Sequence, residues 1–371
     1  MITMVIPTYN HAQYLPIQIA SIIRQGPSVV RIIVVNDGST DDTVDVLAKI
    51  QLNEPRLMVK NLTDNVGWMR AAHIGVSYVE TDFFAIVSAD DCLIPGWAEK
   101  SLNALRSAPD IALCLAGTYL VREASSLTKT VLPKRLRGAV LSPLEFHRSV
   151  MQYGSWFASG TMLIRRSNYD ENFVEFASAG SFADGLTIYV LGLKAGVVVI
   201  DEPLGVFFER RASVSGATIA PSVGTNIIQE LSNLLSISPC VKLIDRRLAS
   251  RILQRNTYMY LMEAAVELTY KYSQLAESTL PSTASRALRI SLRLLFFLYR
   301  LVAFACLRPF DFKVARVNYP QAANVDETRA FCEYQKELNK SLDLSRFDAA
   351  PLIAFTATKE TDYGTETNRR I

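Results

Sequence analysis

A chain of 371 residues is long enough for a full catalytic domain and an appendage. With 49% hydrophobic and 20% charged residues it is not a disordered chain, and a net charge of +3 gives no bulk electrostatic case for nucleic acid as a partner. Its five cysteines, Cys92, Cys114, Cys240, Cys306 and Cys332, are scattered without CxxC spacing, which leaves no sequence case for a zinc site or a disulfide framework and points to a reducing, cytoplasmic setting.

The first residues, MITMVIPTYN, read as a strand from Met1 to Ile6 stopped by Pro7, not as the basic start and apolar core of a secretory signal. Pro16 then opens a helix to about Arg24. Arg31–Asn36 (RIIVVN) is a second buried strand. The cluster Asp37-Gly38-Ser39-Thr40-Asp41-Asp42 behind it supplies a turn and N-cap candidates for a helix carrying Val44, Val46, Leu47 and Ile50. Arg56–Leu62 gives a third strand, Asn65-Val66-Gly67 a turn, and a helix follows to about Val79. Phe83–Ser88 is the fourth strand, an uninterrupted apolar run of the kind buried on both faces of a parallel sheet. Strands alternating with helices throughout residues 1–88 predict an α/β fold with a doubly wound parallel sheet.

The fourth strand ends in two adjacent carboxylates, Asp90 and Asp91, within FFAIVSADDCLIP. In open α/β sheets the C-terminal lip of the strands is where ligands bind. Two neighbouring acids repel unless something positive lies beside them, so a divalent cation backed by a phosphate is a natural occupant; a helix-capping turn is the alternative.

Pro95-Gly96 opens a helix to about Ser107. Ile111–Ala116 and Thr118–Arg122 are strand-like, Pro143–Met151 helical, Thr161–Arg165 strand-like, Phe182–Leu193 helical, and Val197–Ile200 a further strand before Asp201-Glu202-Pro203. From Thr225 the sequence becomes helical, over Asn226–Leu235, Leu243–Tyr272 and Ser285–Leu307. The chain thus divides near residue 220 into an alternating α/β part, 1–220, whose halves 1–110 and 111–220 the resemblance set out below assigns to nucleotide and acceptor in a catalytic domain; a helical region, 221–355; and a polar tail, 356–371.

In chain order, VIPTYN at Val5–Asn10, VVNDGSTDDT at Val34–Thr43, the Asn65-x-Gly67 segment and SADD at Ser88–Asp91 resemble glycosyltransferase family 2. The resemblance covers about residues 1–215. It implies the GT-A fold, a Rossmann-like mostly parallel sheet flanked by helices, here with a C-terminal helical appendage, and transfer of a sugar from a nucleotide donor with inversion. It also implies that Pro7, Thr8 and Tyr9 line the base and ribose pocket, that Asp37 accepts a hydrogen bond from the base, and that Asn65 and Gly67 border the donor. Asp90 is expected on ribose or metal, and Asp91 on the cation, Mg2+ or Mn2+, which holds the donor diphosphate as a Lewis acid.

Several positions depart from the family pattern. Ala71 and Gly75 match its Ala-Arg-Asn-x-Gly run, but Ala72 and His73 stand where Arg and Asn are expected; Arg70 is the substitute candidate and His73 reads as a packed helix residue. Ser88 replaces the first acid of the metal motif. For the base that takes the acceptor hydroxyl's proton the resemblance points to Asp184, although the Glu that often precedes it is Ala183 here. Burial near the acceptor would raise that carboxyl's pKa toward a value useful at neutral pH. Arg210 falls where a diphosphate-contacting Arg or His stands in the family and can clamp oxygens bidentately. Trp156, Ser159 and Gly160 lie where acceptors bind in relatives, with core packing the alternative for Trp156.

Within Ser285–Pro309, Arg286, Arg289, Arg293, Arg300 and Arg308 fall inside an arc of roughly 100° on an otherwise apolar helix. Such a helix suits a membrane interface and, equally, the surface of the catalytic domain. The expectation is therefore a metal-dependent inverting glycosyltransferase that carries a sugar from a UDP- or dTDP-sugar to a glycan or lipid-linked acceptor in cell-surface polysaccharide synthesis. Its expected seat is cytoplasmic and peripheral to the inner face of the plasma membrane, with a second copy of the chain as a further candidate partner. A rival expectation, motivated by Ser88, Ala72 and Ala183, is a degenerate relative that binds sugar nucleotides without turnover. A dehydrogenase is disfavoured, since no GxGxxG follows the first strand.

Overall fold

The computed structural model describes residues 1–122, 126–130, 132–154, 156–157, 159–209, 242–252 and 325–341, with scattered positions between 232 and 323. Strand β1 (Ile2–Thr8), buried along its whole length, runs parallel between β2 (Val29–Asn36) and β4 (Phe83–Ile86), and β3 (Leu57–Asn61) extends the parallel set beyond β2. Alternate residues feed two cores, as the period of a strand requires. Ile2, Met4 and Ile6 pack with Leu15, Ile19 and Ile22 of α1 (Leu15–Ile23) and with Leu47 of α2 (Thr43–Gln51); Val5, Ile33 and Val35 pack with Met69, Ala71 and Val76 of α3 (Trp68–Val76). Helix α3 lies so close on the sheet that a Cβ at Gly75 would come within 2.5 Å of Val5 Cγ1. Strand order runs from β1 out to β3 and then returns to β4 on the other side of β1, so the reversal falls at the β1/β4 boundary. That boundary is where doubly wound sheets open a crevice.

Strand β1 continues through Pro7 to Thr8, past the expected stop at Ile6. Its pairing with β4 ends at Val5–Ile86, so no ladder bond there needs the N–H that proline lacks.

The second half comprises β5 (Cys92–Leu93), α4 (Trp97–Arg106), β6 (Leu113–Arg122), β7 (Ser126–Lys129), β8 (Val140–Leu141), α5 (Pro143–Tyr153), β9 (Leu163–Arg165), α6 (Ala183–Ala195) and β10 (Val197–Glu209). Strand β9 is antiparallel to both β4 and β6 and joins the halves into one 11-stranded sheet among the described residues. The two strands expected at 111–116 and 118–122 form a single one, β6. The strand expected at 197–200 runs on to Glu209 beside it; the register slips at Pro203, so a bulge absorbs residues that read locally as a turn.

Residues 321–341 return to this sheet: β11 (Gln321–Ala322) pairs with β7, and α7 (Val325–Ser341) packs its Phe331 and Leu338 with Ile17 and Ala20 of α1, Cys92, Val206 and Phe208. Of the helices expected at Asn226–Leu235 and Ser285–Leu307 only scattered positions are described, and most of Leu243–Tyr272 and the tail 356–371 lie outside the described residues. No described helix is long and apolar enough to cross a membrane.

Candidate active site

The turns leaving β1 and β2 are stitched together. The Asp37 N–H donates to the Thr8 carbonyl (2.8 Å), Asn10 Oδ1 accepts the Thr40 N–H (2.8 Å), the Asn10 N–H donates to Ser39 Oγ (2.9 Å), and the Ala12 N–H to Asp41 Oδ2 (3.1 Å). Asn10 adopts φ +55°, a conformation that asparagine tolerates. Asp37 is 1% exposed, and its carboxylate takes the Val66 N–H on Oδ1 (2.8 Å) and the Gly67 N–H on Oδ2 (2.9 Å). The acid expected to meet the nucleobase therefore also holds the 65–67 turn; with about four acceptor directions a carboxylate can do both. Asn65 is exposed and closes that turn by accepting from the Gly67 N–H (3.1 Å). Thr8 is buried, and Tyr9 stands exposed at the rim.

Helix α1 fastens the turn that follows β4. Gln18, buried within the apolar LPIQIASII, donates from Nε2 to the Ser88 carbonyl (2.6 Å); Ser21 Oγ donates to Gln18 Oε1 (2.7 Å) and accepts the Leu93 N–H (3.1 Å). Ser88 is exposed, Asp90 half-buried, and Asp91 8% exposed with Oδ1 accepting the Phe208 N–H of β10 (3.1 Å). Because β1 lies between β2 and β4, the ends of those two strands stand about 10 Å apart across it; Asp37 directly follows the first, and Asp90 and Asp91 stand four and five residues beyond the second. Among the described residues no group of three or more His, Cys, Asp or Glu could hold a metal by itself. The adjacent carboxylates of Asp90 and Asp91 nevertheless fit Mg2+ or Mn2+ of the kind that completes its shell with phosphate oxygens and water.

On the acceptor side, Asp184 sits in the first turn of α6, where its Oδ1 accepts the Gly185 N–H (2.6 Å) and its Oδ2 accepts the Ser159 hydroxyl. Ser159 and Gly160 belong to a single 3-10 turn, 159–161, pinned to β6 by Thr161, which donates to the Ala116 carbonyl (2.7 Å) and accepts the Ala116 N–H (3.1 Å). Part of Asp184 reaches solvent, but its carboxyl group is enclosed by protein; burial pushes it above the usual carboxylate range, with the Ser159 and Gly185 bonds pulling partly back.

Trp156 is 3% exposed, donates from Nε1 to Ser149 Oγ (3.0 Å) and meets Phe146 and Phe157 edge-on, so it belongs to the core and offers no face to a sugar. Arg70 is exposed on α3, and Ala72, at the position where the family pattern has Arg, is fully buried. His73 stacks on Tyr169 (6.2 Å between centroids), and burial lowers its pKa, as for a packed helix residue. Arg210 lies outside the described residues. Sequence reasoning missed Asn10, Gln18 and Ser21; polar residues placed inside an apolar helix, as Gln18 and Ser21 are, were the available signal, since a buried polar group needs a partner.

A sequence profile described as "Glycosyl transferase family 2" matches residues 3–171, which span the tips of β1, β2 and β4 and the Ser159 turn. That segment, a little under half of the chain, is similar to glycosyl transferase family 2. A protein of Haemophilus influenzae described as an uncharacterized glycosyltransferase is 33% identical over 120 residues, which are 32% of this chain and 36% of that protein. Glycosyltransferase GlyG of Streptococcus pneumoniae is 24% identical over 250 residues, 65% of this chain and 81% of GlyG. Among solved structures, S. aureus TarS 1–349 in complex with UDP-GlcNAc matches with a TM-score of 0.52 at 17% identity, covering 81% of this chain and 91% of that one. The likeness is one of fold: the mixed sheet flanked by helices is the GT-A architecture expected for the family.

Proposed function

We propose that this chain is an inverting glycosyltransferase that moves a sugar from a nucleotide-diphosphate donor to a hydroxyl of a glycan or lipid-linked acceptor. The observation that carries the reading is that Asp37 follows β2 and Asp90–Asp91 follow β4, the two neighbours of β1 at the reversal of strand order, within a segment matched by the family 2 profile. Pro7, Thr8, Tyr9 and Asp37 receive the base and ribose, with a UDP- or dTDP-sugar as the donor class; Asn65, Gly67 and Arg70 border it. The complex of TarS with UDP-GlcNAc supports a nucleotide sugar in this fold. Asp90 and Asp91 face the diphosphate and would hold Mg2+ or Mn2+, and Arg210 adds a cation at the phosphates. When bound, the metal supplies neutralising charge to the leaving diphosphate.

Asp184 takes the proton of the acceptor hydroxyl. The freed oxygen pair forms the new bond to the anomeric carbon from the face opposite the nucleotide, and the sugar–phosphate bond breaks with its pair on the departing oxygen. The raised carboxyl of Asp184 supports this role, because a base poised nearer neutrality is matched to the task. Ser159 and Gly160 border the acceptor.

The domain division stands in this proposal, with catalysis assigned to residues 1–220. The proposal keeps a cytoplasmic seat in cell-surface polysaccharide synthesis, and its peripheral membrane contact is supported by Ile290, Leu294, Leu295 and Leu298, each more than half exposed, in a stretch 282–309 that holds five arginines and no acid. A thermal-shift panel of UDP-, dTDP- and GDP-sugars with and without Mn2+ tests the donor assignment. Stabilisation by one nucleotide class that requires Mn2+ is expected, and a panel without any stabilising donor overturns the reading.

A further inference from the structure

Strand β5, the two residues that directly follow Asp91, pairs along one edge with β10. Side chains bind the backbone groups around it. The Leu93 N–H goes to Ser21 Oγ (3.1 Å), the Leu93 carbonyl accepts the Tyr334 hydroxyl (2.7 Å), and the Ile94 carbonyl accepts Gln25 Nε2 (3.1 Å). Buried backbone groups must be paired, so these contacts determine where the chain runs as it leaves the acid turn. One comes from Ser21 of α1 and one from Gln25, two residues past its end. The third comes from α7, far beyond the family segment that ends at residue 171.

Helix α7 is held to its place by independent contacts. Strand β11 pairs with β7, Lys129 pairs with Glu327, and Arg24, the C-cap of α1, pairs with Glu337 (2.7 Å). Phe331 and Leu338 are buried among Ile17, Ala20, Cys92 and Phe208. Phe208 is also the residue whose N–H meets Asp91 Oδ1. The helix thus packs on all three elements whose atoms fix the acid turn, namely α1, β5 and β10. Burial pushes the Tyr334 phenol above its ordinary range, so it stays a neutral donor under all working conditions.

We infer that α7 is part of the donor site as a positioning element, with Tyr334 fixing the Asp90–Asp91 turn through the Leu93 carbonyl. The inference rests on the proposed function in one respect, that Asp90 and Asp91 face the donor diphosphate and its cation. Its consequence is that donor affinity depends on residues 321–341, which the family segment does not contain.

The test uses the full chain and Tyr334→Phe, which keeps the ring and removes the hydroxyl. The probe is whichever of UDP, dTDP and GDP binds the unaltered chain best with Mn2+, measured by calorimetry well below either melting temperature. The Kd is expected to rise about threefold to tenfold, as loss of one hydrogen bond coupled to binding would give. A matched control, Arg31→Gln, removes an exposed ion pair with Glu80 near the start of β2, away from α7 and the Leu93 carbonyl, and is expected to leave the Kd unchanged. A lowered melting temperature in Tyr334→Phe with an unchanged Kd makes α7 mere packing and overturns the inference. Hydrogen exchange of the amides of residues 88–93 gives a reading independent of any donor: faster exchange there in Tyr334→Phe is expected, and unaltered protection overturns the inference. Failure of the unaltered chain to bind any of the three nucleotides with Mn2+ instead counts against the functional reading.

Discussion

The Ser159 hydroxyl donates to the carboxylate of Asp184, tying the turn at 159–161 to the first turn of α6. The bond stabilises the charged form of a carboxyl that burial pushes toward the neutral one. Only the carboxylate can take a proton from an acceptor, so transfer should rise with pH through a midpoint above the ordinary aspartate value of about 3.9. Ser159→Ala removes a donor to the charged form, and the acidic limb of kcat/KM is expected to move to higher pH, activity recovering as the pH rises further. A pH–rate profile of both proteins checks this; an acidic limb that does not move removes Ser159 from the positioning of the base.

The same burial gives Asp184→Asn opposite effects on chemistry and stability. A folded-state pKa raised above the unfolded one contributes stability that is complete below the unfolded value and is lost as pH rises through the folded value. Near neutral pH the wild-type carboxylate therefore costs stability, and the amide does not. Asp184→Asn should melt higher than wild type at pH 8 and alike near pH 4, bind the donor normally, and lose transfer by at least about a hundredfold. Turnover near that of wild type would reassign the base. Donor binding without turnover in the unaltered chain would identify a degenerate relative.

Asp91 uses one oxygen for the Phe208 N–H, so removing the whole side chain would confuse structure with charge. Asp91→Asn keeps an acceptor for that N–H and removes the negative charge. Calorimetry should show Mn2+-dependent donor binding weakened at least about tenfold, consistent with loss of a charged metal ligand, with the melting temperature close to that of wild type. Retained Mn2+ dependence would move the metal away from this turn.

The first four strands and the acids at their tips were legible because each signal is local: a short apolar run, then Asp-Gly-Ser or Asp-Asp. Trp156 was not, since an indole suits a sugar face and a core equally and only its 3% exposure decides between them. Helix α7 falls within the expected helical region 221–355, but its docking on the sheet was missed because VDETRAFCEYQKELNKS is polar except for a narrow stripe at Phe331, Tyr334 and Leu338, whose partners Ile17 and Leu93 lie far away in sequence, Leu93 being 241 residues from Tyr334. Around Pro203 the sequence reads as a turn, and only the pairing with β6 carries the strand across it. Arg210, a residue the resemblance singles out, lies outside the described residues.

Gly38 follows Asp37 with φ +71°, and a Cβ there would lie 2.8 Å from the Asp64 carbonyl carbon. Both the backbone conformation and the close approach oppose any side chain. Gly38→Ala should destabilise the fold by about 1–3 kcal/mol in denaturant titration. Because the displaced backbone adjoins the 65–67 turn held by Asp37, donor affinity should fall as well. An unaffected midpoint would show that the two turns can separate without cost.

The exposed residues Ile290, Leu294, Leu295 and Leu298 and the acid-free composition of 282–309 make the membrane assignment testable without any donor. Apolar side chains entering an interface gain by leaving water, and each nearby arginine adds about 1 kcal/mol on an anionic surface, screened by salt. The full chain is therefore expected to co-float with vesicles containing phosphatidylglycerol, to float less at high salt, and to remain unbound with neutral phosphatidylcholine. The double substitution Leu294→Asp and Leu298→Asp inserts two charges into the apolar stripe and should abolish flotation while leaving nucleotide binding intact. If the unaltered chain fails to float with anionic vesicles at low salt, the stripe has no lipid partner and the peripheral assignment falls, whereas catalysis by the β1-centred site would stand unchanged.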